Sequence, residues 1–375
     1  MKLTCLQENL NLGLQTTGHL VNKNINLPIL NNVLLEAKEG VLKLSSTNLE
    51  IGISCLVRCK VEKEGAFTIE GKLLSEYISL LPNEQVLLEL DVDDFVKVSA
   101  PNSQTKIKGI IADDFPVIPQ IDKQSAYKVN VKELKEAISQ VIFAVASSES
   151  RPEISGVFLS FNKQEAGKLF LAGTDSYRLA EKRIDVVENK EERNVIVPVK
   201  TLQEVLRVLN NLKDQVGAPE VMDIYLSENQ ILFTCNNVEL ISRLVEGEYP
   251  DYKQIIPKEI KTTVVASTGV LTKAIKTAAL FSKSGIFDIS LVFDPAKGIN
   301  VRATNAQVGE SSLDVDVDFR GELNETTINY RYLLDGLNNV GSDLVEIGLV
   351  DGNIPCLIKP KDNAEYLYII MPIKQ

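Results

Sequence analysis

Histidine is nearly missing from this 375-residue chain: His19 is the only one. Ser–His or Cys–His catalysis would have to be built on that one imidazole. No residue nearby recommends it for that role, and in the repeat register described below it aligns with Phe143 and Leu280. A packing position is therefore expected. Cysteine is also scarce, and its odd count of five gives no disulfide framework. Cys55 and Cys59 are close in sequence, while Cys5, Cys235 and Cys356 stand apart. No CxxC or His-rich segment completes a zinc site, so reduced thiols and no metal are expected.

Long apolar runs are absent too. None approaches the roughly 20 residues of a membrane helix. The opening Met1-Lys2-Leu3-Thr4 lacks the apolar core of a signal peptide, so a cytoplasmic protein is expected. There is no GxxxxGK[ST] loop and no GxGxxG after a strand, which leaves nucleotide binding without support and implies no cofactor. Asp93-Asp94 sits between two strands and reads as a turn, and Asp113-Asp114 reads as the start of a linker. Positive charge is in deficit: 40 basic against 51 acidic residues give −11. A protein that grips nucleic acid tightly by charge is usually basic.

What the chain has instead is repetition. Leu74, Ile78 and Leu81 follow Lys72; Leu202, Leu206 and Leu209 follow Lys200; Leu333, Leu337 and Val340 follow Arg331. A four-residue and then a three-residue step places each trio on one helical face. An earlier helix in each unit keeps register through Leu10, Leu134 and Leu271, then Leu14, Ile138 and Ile275. Each unit reads as β-α-βββ-β-α-βββ, with two helices and about eight strands. That indicates an α+β fold with helices on one side of antiparallel sheet. The joints are the proline-bearing segments 115–119 and 249–257. They suggest domains at 1–124, 125–257 and 258–375. A threefold repeat constrains function more than any short motif.

Lys72, Lys200 and Arg331 recur at one place in the repeat, the start of the second helix. Three basic residues in equivalent positions imply a shared basic face, to which Lys132, Lys135, Arg207, Lys213, Lys273 and Lys276 can add.

Five segments, in order, carry a resemblance over essentially the whole chain. They are Leu27-Pro28-Ile29-Leu30, Asp114-Phe115-Pro116, Gly173-Thr174-Asp175-Ser176-Tyr177-Arg178-Leu179, Glu248-Tyr249-Pro250-Asp251-Tyr252, and Met371-Pro372-Ile373. With the triple repeat, the chain resembles the bacterial sliding clamp family, the beta subunits of DNA polymerase III. The resemblance implies three repeated clamp domains, helices lining an inner face, antiparallel sheets outside, and a head-to-tail homodimer that closes a ring around duplex DNA. It implies no catalysis and no cofactor. Topology rather than tight phosphate contact would hold the DNA, without sequence preference, which reconciles the acidic charge with a DNA partner. Lys72, Lys200, Arg207, Lys276 and Arg331 would face the DNA. Tyr77 and Leu81 would meet Leu280 and Phe281 across the dimer contact, with residues 102–108 as the edge strand.

The resemblance also implies a cleft for short partner peptides, made by Ile154, Thr174, Ser176, Tyr177, Arg178, Leu179, Pro250, Ile255, Asn329, Tyr332, Met371, Pro372 and Ile373. Its partners would be the DNA polymerase III alpha subunit, the clamp loader, and other polymerases and repair proteins, with no membrane partner. Gln254 departs from the family, which often has a basic residue there. The rival from another class is an interaction scaffold that uses this fold without encircling DNA.

Overall fold

The computed structural model describes residues 1–20, 27–91, 94–147, 150–212, 218–283 and 285–374. Of the residues singled out above, Asp93 and Lys213 lie outside them. Six helices are present among the described residues: α1 (Gln7–Thr17), α2 (Gly71–Ser79), α3 (Val131–Ile142), α4 (Val199–Leu212), α5 (Thr268–Ala279) and α6 (Tyr330–Asn339). Each begins at the residue after a strand ends: Lys2–Leu6, Gly65–Glu70, Tyr127–Asn130, Arg193–Pro198, Thr262–Ser267 and Asn324–Asn329. The expected pattern is present three times, with one short strand more per repeat: Lys60–Lys63, Val187–Glu188 and Asp318–Gly321. These pieces are mostly exposed and polar. They carry little of the apolar alternation that marks a strand in sequence.

The apolar stripe is buried largely as its spacing requires. Leu74, Ile78, Leu202, Leu209, Leu333, Leu337 and Val340 are all in the core. Leu206 is half-buried, and Leu81 is half-buried because it falls beyond the end of α2.

Contacts group the chain into two compact units, one of Met1–Val131 with Gln203–Leu244, the other of Lys132–Leu202 with Val245–Gln375. The middle repeat contributes to both. In the first unit its strand Val238–Arg243 pairs antiparallel with Ile51–Arg58, Val238 opposite Cys55 and Ser242 opposite Ile51. A continuous sheet results, on which α1 lies against α2 and Ile51–Arg58. In the second unit Arg178–Asp185 pairs with Tyr366–Ile370, within a nine-stranded sheet. A four-stranded sheet in that unit has Gly309–Val315 at its edge. There α6 lies close to Tyr366–Ile370: a Cβ on Gly336 would stand 2.3 Å from the Tyr368 ring, so only glycine fits. Among the described residues no helix is long and apolar enough to cross a membrane.

His19 is not in a packing position. Helix α1 stops at Thr17, and the 3-10 turn Gly18–Leu20 that follows buries Leu20 and turns His19 outward. Its side chain is 64% exposed, and Nδ1 lies 2.9 Å from the buried Glu204 carboxylate. Leu280, its counterpart in the third repeat, is exposed as well. Phe143, the counterpart in the second repeat, is half-buried with its ring 5.5 Å from that of Tyr368, so the position packs in one repeat and faces solvent in the other two.

All five cysteines are free, and every one except Cys59 is buried. Burial pushes the Cys5 and Cys55 thiols up to about 12 and Cys235 up to about 11. At pH 8 they are almost wholly protonated and unreactive. Thiol titration of the native protein with a maleimide should therefore label Cys59 first. Full labelling of the other four should require denaturant. Rapid uptake of several equivalents without it would show that the core opens.

Candidate functional site

The site is built on a tight turn between two strands of the second unit, Lys168–Thr174 and Arg178–Asp185. Thr174 closes the turn by donating its hydroxyl to the Arg178 carbonyl at 2.7 Å, while the same oxygen accepts from the Ser176 amide at 3.1 Å. The Asp175 carboxylate accepts from the Tyr177 and Arg178 amides, each at 3.0 Å. These bonds hold Ser176 at φ 76° and leave Tyr177 63% exposed.

Arg178 ties the turn to two helices. Its guanidinium donates to Asp175 at 3.0 Å, to the Phe143 carbonyl at 2.8 Å, and to Asp335 on α6. It also lies over the Tyr332 ring, 4.6 Å from the centroid. Arginine suits this place because its planar fork serves several acceptors while its face stacks on an aromatic ring. The Tyr332 ring in turn stacks with Tyr177, centroids 6.4 Å apart, and its carbonyl accepts from the Tyr368 hydroxyl at 2.9 Å. Asn329 caps α6 by accepting from the Arg331 amide at 2.9 Å, a bond worth about 1 kcal/mol.

The C-terminal segment crosses the turn. The Met371 amide donates to the Tyr177 carbonyl at 2.9 Å, and the Ile373 amide to the Thr327 carbonyl at 2.7 Å. Met371, Pro372 and Ile373 are each half-buried. Beneath lies an apolar cluster that includes Ile154, Leu179 and Ile369, with Ile255 packed against it. Tyr249 and Tyr252 from the second proline-bearing segment complete it. Burial, then the adjacent Glu181 carboxylate, pushes the Tyr252 phenol well above its usual range, so it stays a donor, 2.5 Å from Glu181. Pro250 is exposed, and its carbonyl accepts from the Tyr252 amide at 2.8 Å. Gln254 turns back on its own segment and donates to Asp251 at 2.8 Å.

The anticipated cleft residues thus all belong to one compact unit, and bonds or packing join most of them. Sequence reasoning missed Asp335 and Phe143, the partners that fix Arg178, and Arg151, which donates to the Ser176 hydroxyl at 2.9 Å. Asp335 and Phe143 lie 157 and 35 residues from Arg178, and no local pattern joins them.

The basic residues divide. Lys72, Lys200, Lys276 and Arg331 are exposed, with Lys72 3.8 Å from Glu76 and Arg331 over the Phe287 ring at 3.6 Å. Arg207 differs. Its guanidinium donates to Glu204 and to the Gln15 and Thr16 carbonyls, so it serves the end of α1. At the anticipated dimer contact, Leu280 is 73% exposed, whereas Tyr77, Leu81 and Phe281 are half-buried. The Tyr77 hydroxyl is 2.8 Å from that of Ser103. Leu80, not singled out in the sequence, is 84% exposed. Among the described residues there is no cluster of three or more His, Cys, Asp or Glu side chains able to hold a metal.

Three family models match in succession: the DNA polymerase III beta subunit N-terminal domain over residues 1–119, the central domain over 128–251 and the C-terminal domain over 253–374. A beta sliding clamp of Staphylococcus epidermidis is 28% identical over 370 residues, covering 96% of each chain. Among solved structures, the DNA polymerase sliding clamp of Bacillus subtilis aligns with a TM-score of 0.92 at 26% identity, covering 100% of this chain and 99% of its own. A sliding clamp of Pseudomonas aeruginosa bound to griselimycin aligns with a TM-score of 0.92 at 27% identity, covering 100% of both. The fold is therefore that of a clamp, three domains of helices and antiparallel sheet with no catalytic task. The chain belongs to the DNA polymerase III beta subunit family, the beta sliding clamps, which are processivity factors of that polymerase.

Proposed function

We propose that two copies of this chain join head to tail into a ring around duplex DNA and that the Arg178 cleft tethers the polymerase and other DNA-processing proteins by short peptides. The observation that carries this reading is the triple repeat, with a basic residue at the same helical position each time. Three domains, at 1–124, 125–257 and 258–375, make half of a pseudo-sixfold ring, and a heterologous contact that closes after two copies completes it. Two unsatisfied sheet edges suit that contact. Among the described residues, 103–108 pair on one side only, with Phe95–Ala100, and Gly309–Val315 pairs only with Gly298–Asn305. The first edge carries Lys106 and Lys108, the second Glu310 and Asp314.

Lys72, Lys200, Lys276 and Arg331 are the residues proposed to face DNA. Arg207 is left out of that set because its guanidinium is already engaged. Weak contacts suffice, since a closed ring cannot dissociate sideways and still slides. A polymerase bound at the cleft then re-engages its template as an intramolecular event. The clamp loader, other polymerases and repair proteins would share the cleft. The setting is the bacterial cytoplasm, where the chromosome is copied.

The test loads the protein on nicked circular DNA with a clamp loader and then linearises the DNA. The protein should run off the ends. Retention unchanged by cutting would overturn the ring. Reversing charge at Lys72, Lys200 and Arg331 together should lower loading several-fold while the dimer sediments normally. Normal loading would remove these side chains from the DNA-facing set.

A further inference from the structure

The turn at the cleft has a twin in the first unit. Thr47 donates its hydroxyl to the Ile51 carbonyl at 2.9 Å, as Thr174 does to Arg178. The Leu49 amide donates to the Thr47 hydroxyl at 3.0 Å, and the Glu50 and Ile51 amides donate to Asn48 at 3.1 and 2.8 Å. Leu49 and Ser176 share a φ of 76°. The strand after each turn pairs antiparallel with the last strand of the following repeat, Gly52 opposite Ile241 and Leu179 opposite Ile369. The linkers match as well. Asp114-Phe115-Pro116-Val117-Ile118-Pro119-Gln120-Ile121 runs beside the first turn, and Glu248-Tyr249-Pro250-Asp251-Tyr252-Lys253-Gln254-Ile255 belongs to the second.

The two sites differ at the floor. Leu179 fills the second, whereas its counterpart is Gly52, whose missing side chain leaves room for Ile118. A Cβ there would stand 2.8 Å from Ile118 Cγ2. The result is an open groove in two lobes that share Gly52, Ile118, Pro119 and Ile241. One lobe, of about 230 Å³, is bounded by Leu49, Val117 and Arg243. The other, of about 420 Å³, is bounded by Lys43, Leu56 and Lys123. Leu49 is 50%, Leu56 45% and Val117 92% exposed, so aliphatic surface lines both lobes.

Charge selects the occupant. Among the described residues neither Arg243 nor Lys43 has an ion-pair partner, and each borders a different lobe. Lys123 is held by Glu239 at 2.5 Å, but that pair is well exposed and exchanges readily with solvent. Glu50 borders the smaller lobe beside Arg243 and Glu239 borders the larger beside Lys43 and Lys123, so the groove holds three cations against two carboxylates.

We propose that this groove is a second peptide-docking site, for an extended segment of a partner protein with aliphatic side chains flanking a carboxylate. The proposal rests on reading the Arg178 cleft as a peptide site, because the twin turn is what links the two. A chain with two unlike sites could hold two different partners at once, or one partner at two points with the gain in avidity that linkage brings.

The test titrates methyl-labelled full-length protein with acetyl-Ala-Leu-Glu-Leu-Leu-amide and follows the methyl resonances of Leu49, Val117 and Ile118 beside those of Leu179, Ile255 and Ile373. Saturable shifts are expected at the first trio. They should persist in a Met371→Ala/Pro372→Ala variant, which disables only the C-terminal cleft, and Arg243→Glu should weaken them about tenfold, as losing one charge-assisted contact does. The same peptide with lysine in place of glutamate should bind less tightly. Gly52→Val offers a steric block that leaves the charges in place. Shifts confined to the second trio, or abolished by Met371→Ala/Pro372→Ala, would overturn the proposal. So would equal binding of the lysine peptide, or concentration-dependent shifts of the first trio without peptide, which would mean that a second copy fills the groove. Failure of the Arg178 reading is distinct: it would leave the second trio unmoved whatever the first trio does.

Discussion

Arg178→Ala is expected to lower the affinity for a polymerase-derived peptide about 30-fold or more, the loss typical of a binding hot spot. It should also destabilise the fold by about 3 kcal/mol, because it leaves charged partners of a largely buried ion unpaired. The Arg178 side chain is only 12% exposed, and its removal takes the counter-charge from Asp175, which is 16% exposed and keeps only its two backbone-amide donors, and a donor from Asp335 and the Phe143 carbonyl. Tyr368 also touches Phe143 and Tyr332, but Arg178 supplies the charge that holds both carboxylates. Arg178→Lys should recover little, since an ammonium cannot serve three acceptors and stack on Tyr332 as well. Met371→Ala/Pro372→Ala provides the contrast. Both side chains are half-buried at the chain end, so peptide affinity should fall with little change in stability. Fluorescence anisotropy with a labelled peptide and denaturant titration separate the two cases. Unchanged affinity and unchanged stability in Arg178→Ala would mean that the guanidinium organises nothing.

Legibility in the sequence followed the range of the interactions involved. Helix positions repeat every three or four residues, so the core stripe Leu74–Ile78, Leu202–Leu209 and Leu333–Leu337 shows in the sequence alone. Short edge strands such as Lys60–Lys63 bury almost nothing and leave no such mark. His19 is misplaced by the repeat register because alignment preserves position but not the helix end, and the turn after Thr17 rotates it away from the core. Arg207 reads in the sequence as part of the DNA-facing basic set, but the carbonyls that engage it, those of Gln15 and Thr16, lie nearly two hundred residues earlier and leave no local mark. The turn motif at Thr174 carried the cleft, but its double at Thr47 was hidden. The two share threonine and a following Asx residue, Asn48 or Asp175, while the side chains facing outward differ. Backbone geometry repeats there and surface chemistry does not.

Leu280→Asp is expected to leave the proposed ring as single chains. Leu280 lies 73% exposed at the end of α5 and Leu80 84% exposed just beyond α2, and neither exposure helps the isolated chain. Burying one leucine stabilises by about 1.5–3 kcal/mol. A head-to-tail dimer contains the contact twice, so removing Leu280 should cost about 3–6 kcal/mol of association, which is about a hundredfold to ten-thousandfold in the dissociation constant. Aspartate adds the cost of taking a carboxylate out of water into the apolar contact proposed for Tyr77, Leu81 and Phe281. Because the side chain is exposed in the single chain, the fold should remain intact, and sedimentation velocity at micromolar concentration should show a monomer. That monomer should fail to stay on nicked circular DNA. Its peptide affinity should nevertheless be normal, since the Arg178 cleft lies wholly within Lys132–Leu202 and Val245–Gln375 of one chain. A variant that still sediments as a dimer would place the interface elsewhere. A monomeric variant that still remains on circular DNA would separate DNA retention from ring closure and leave tethering to some other contact.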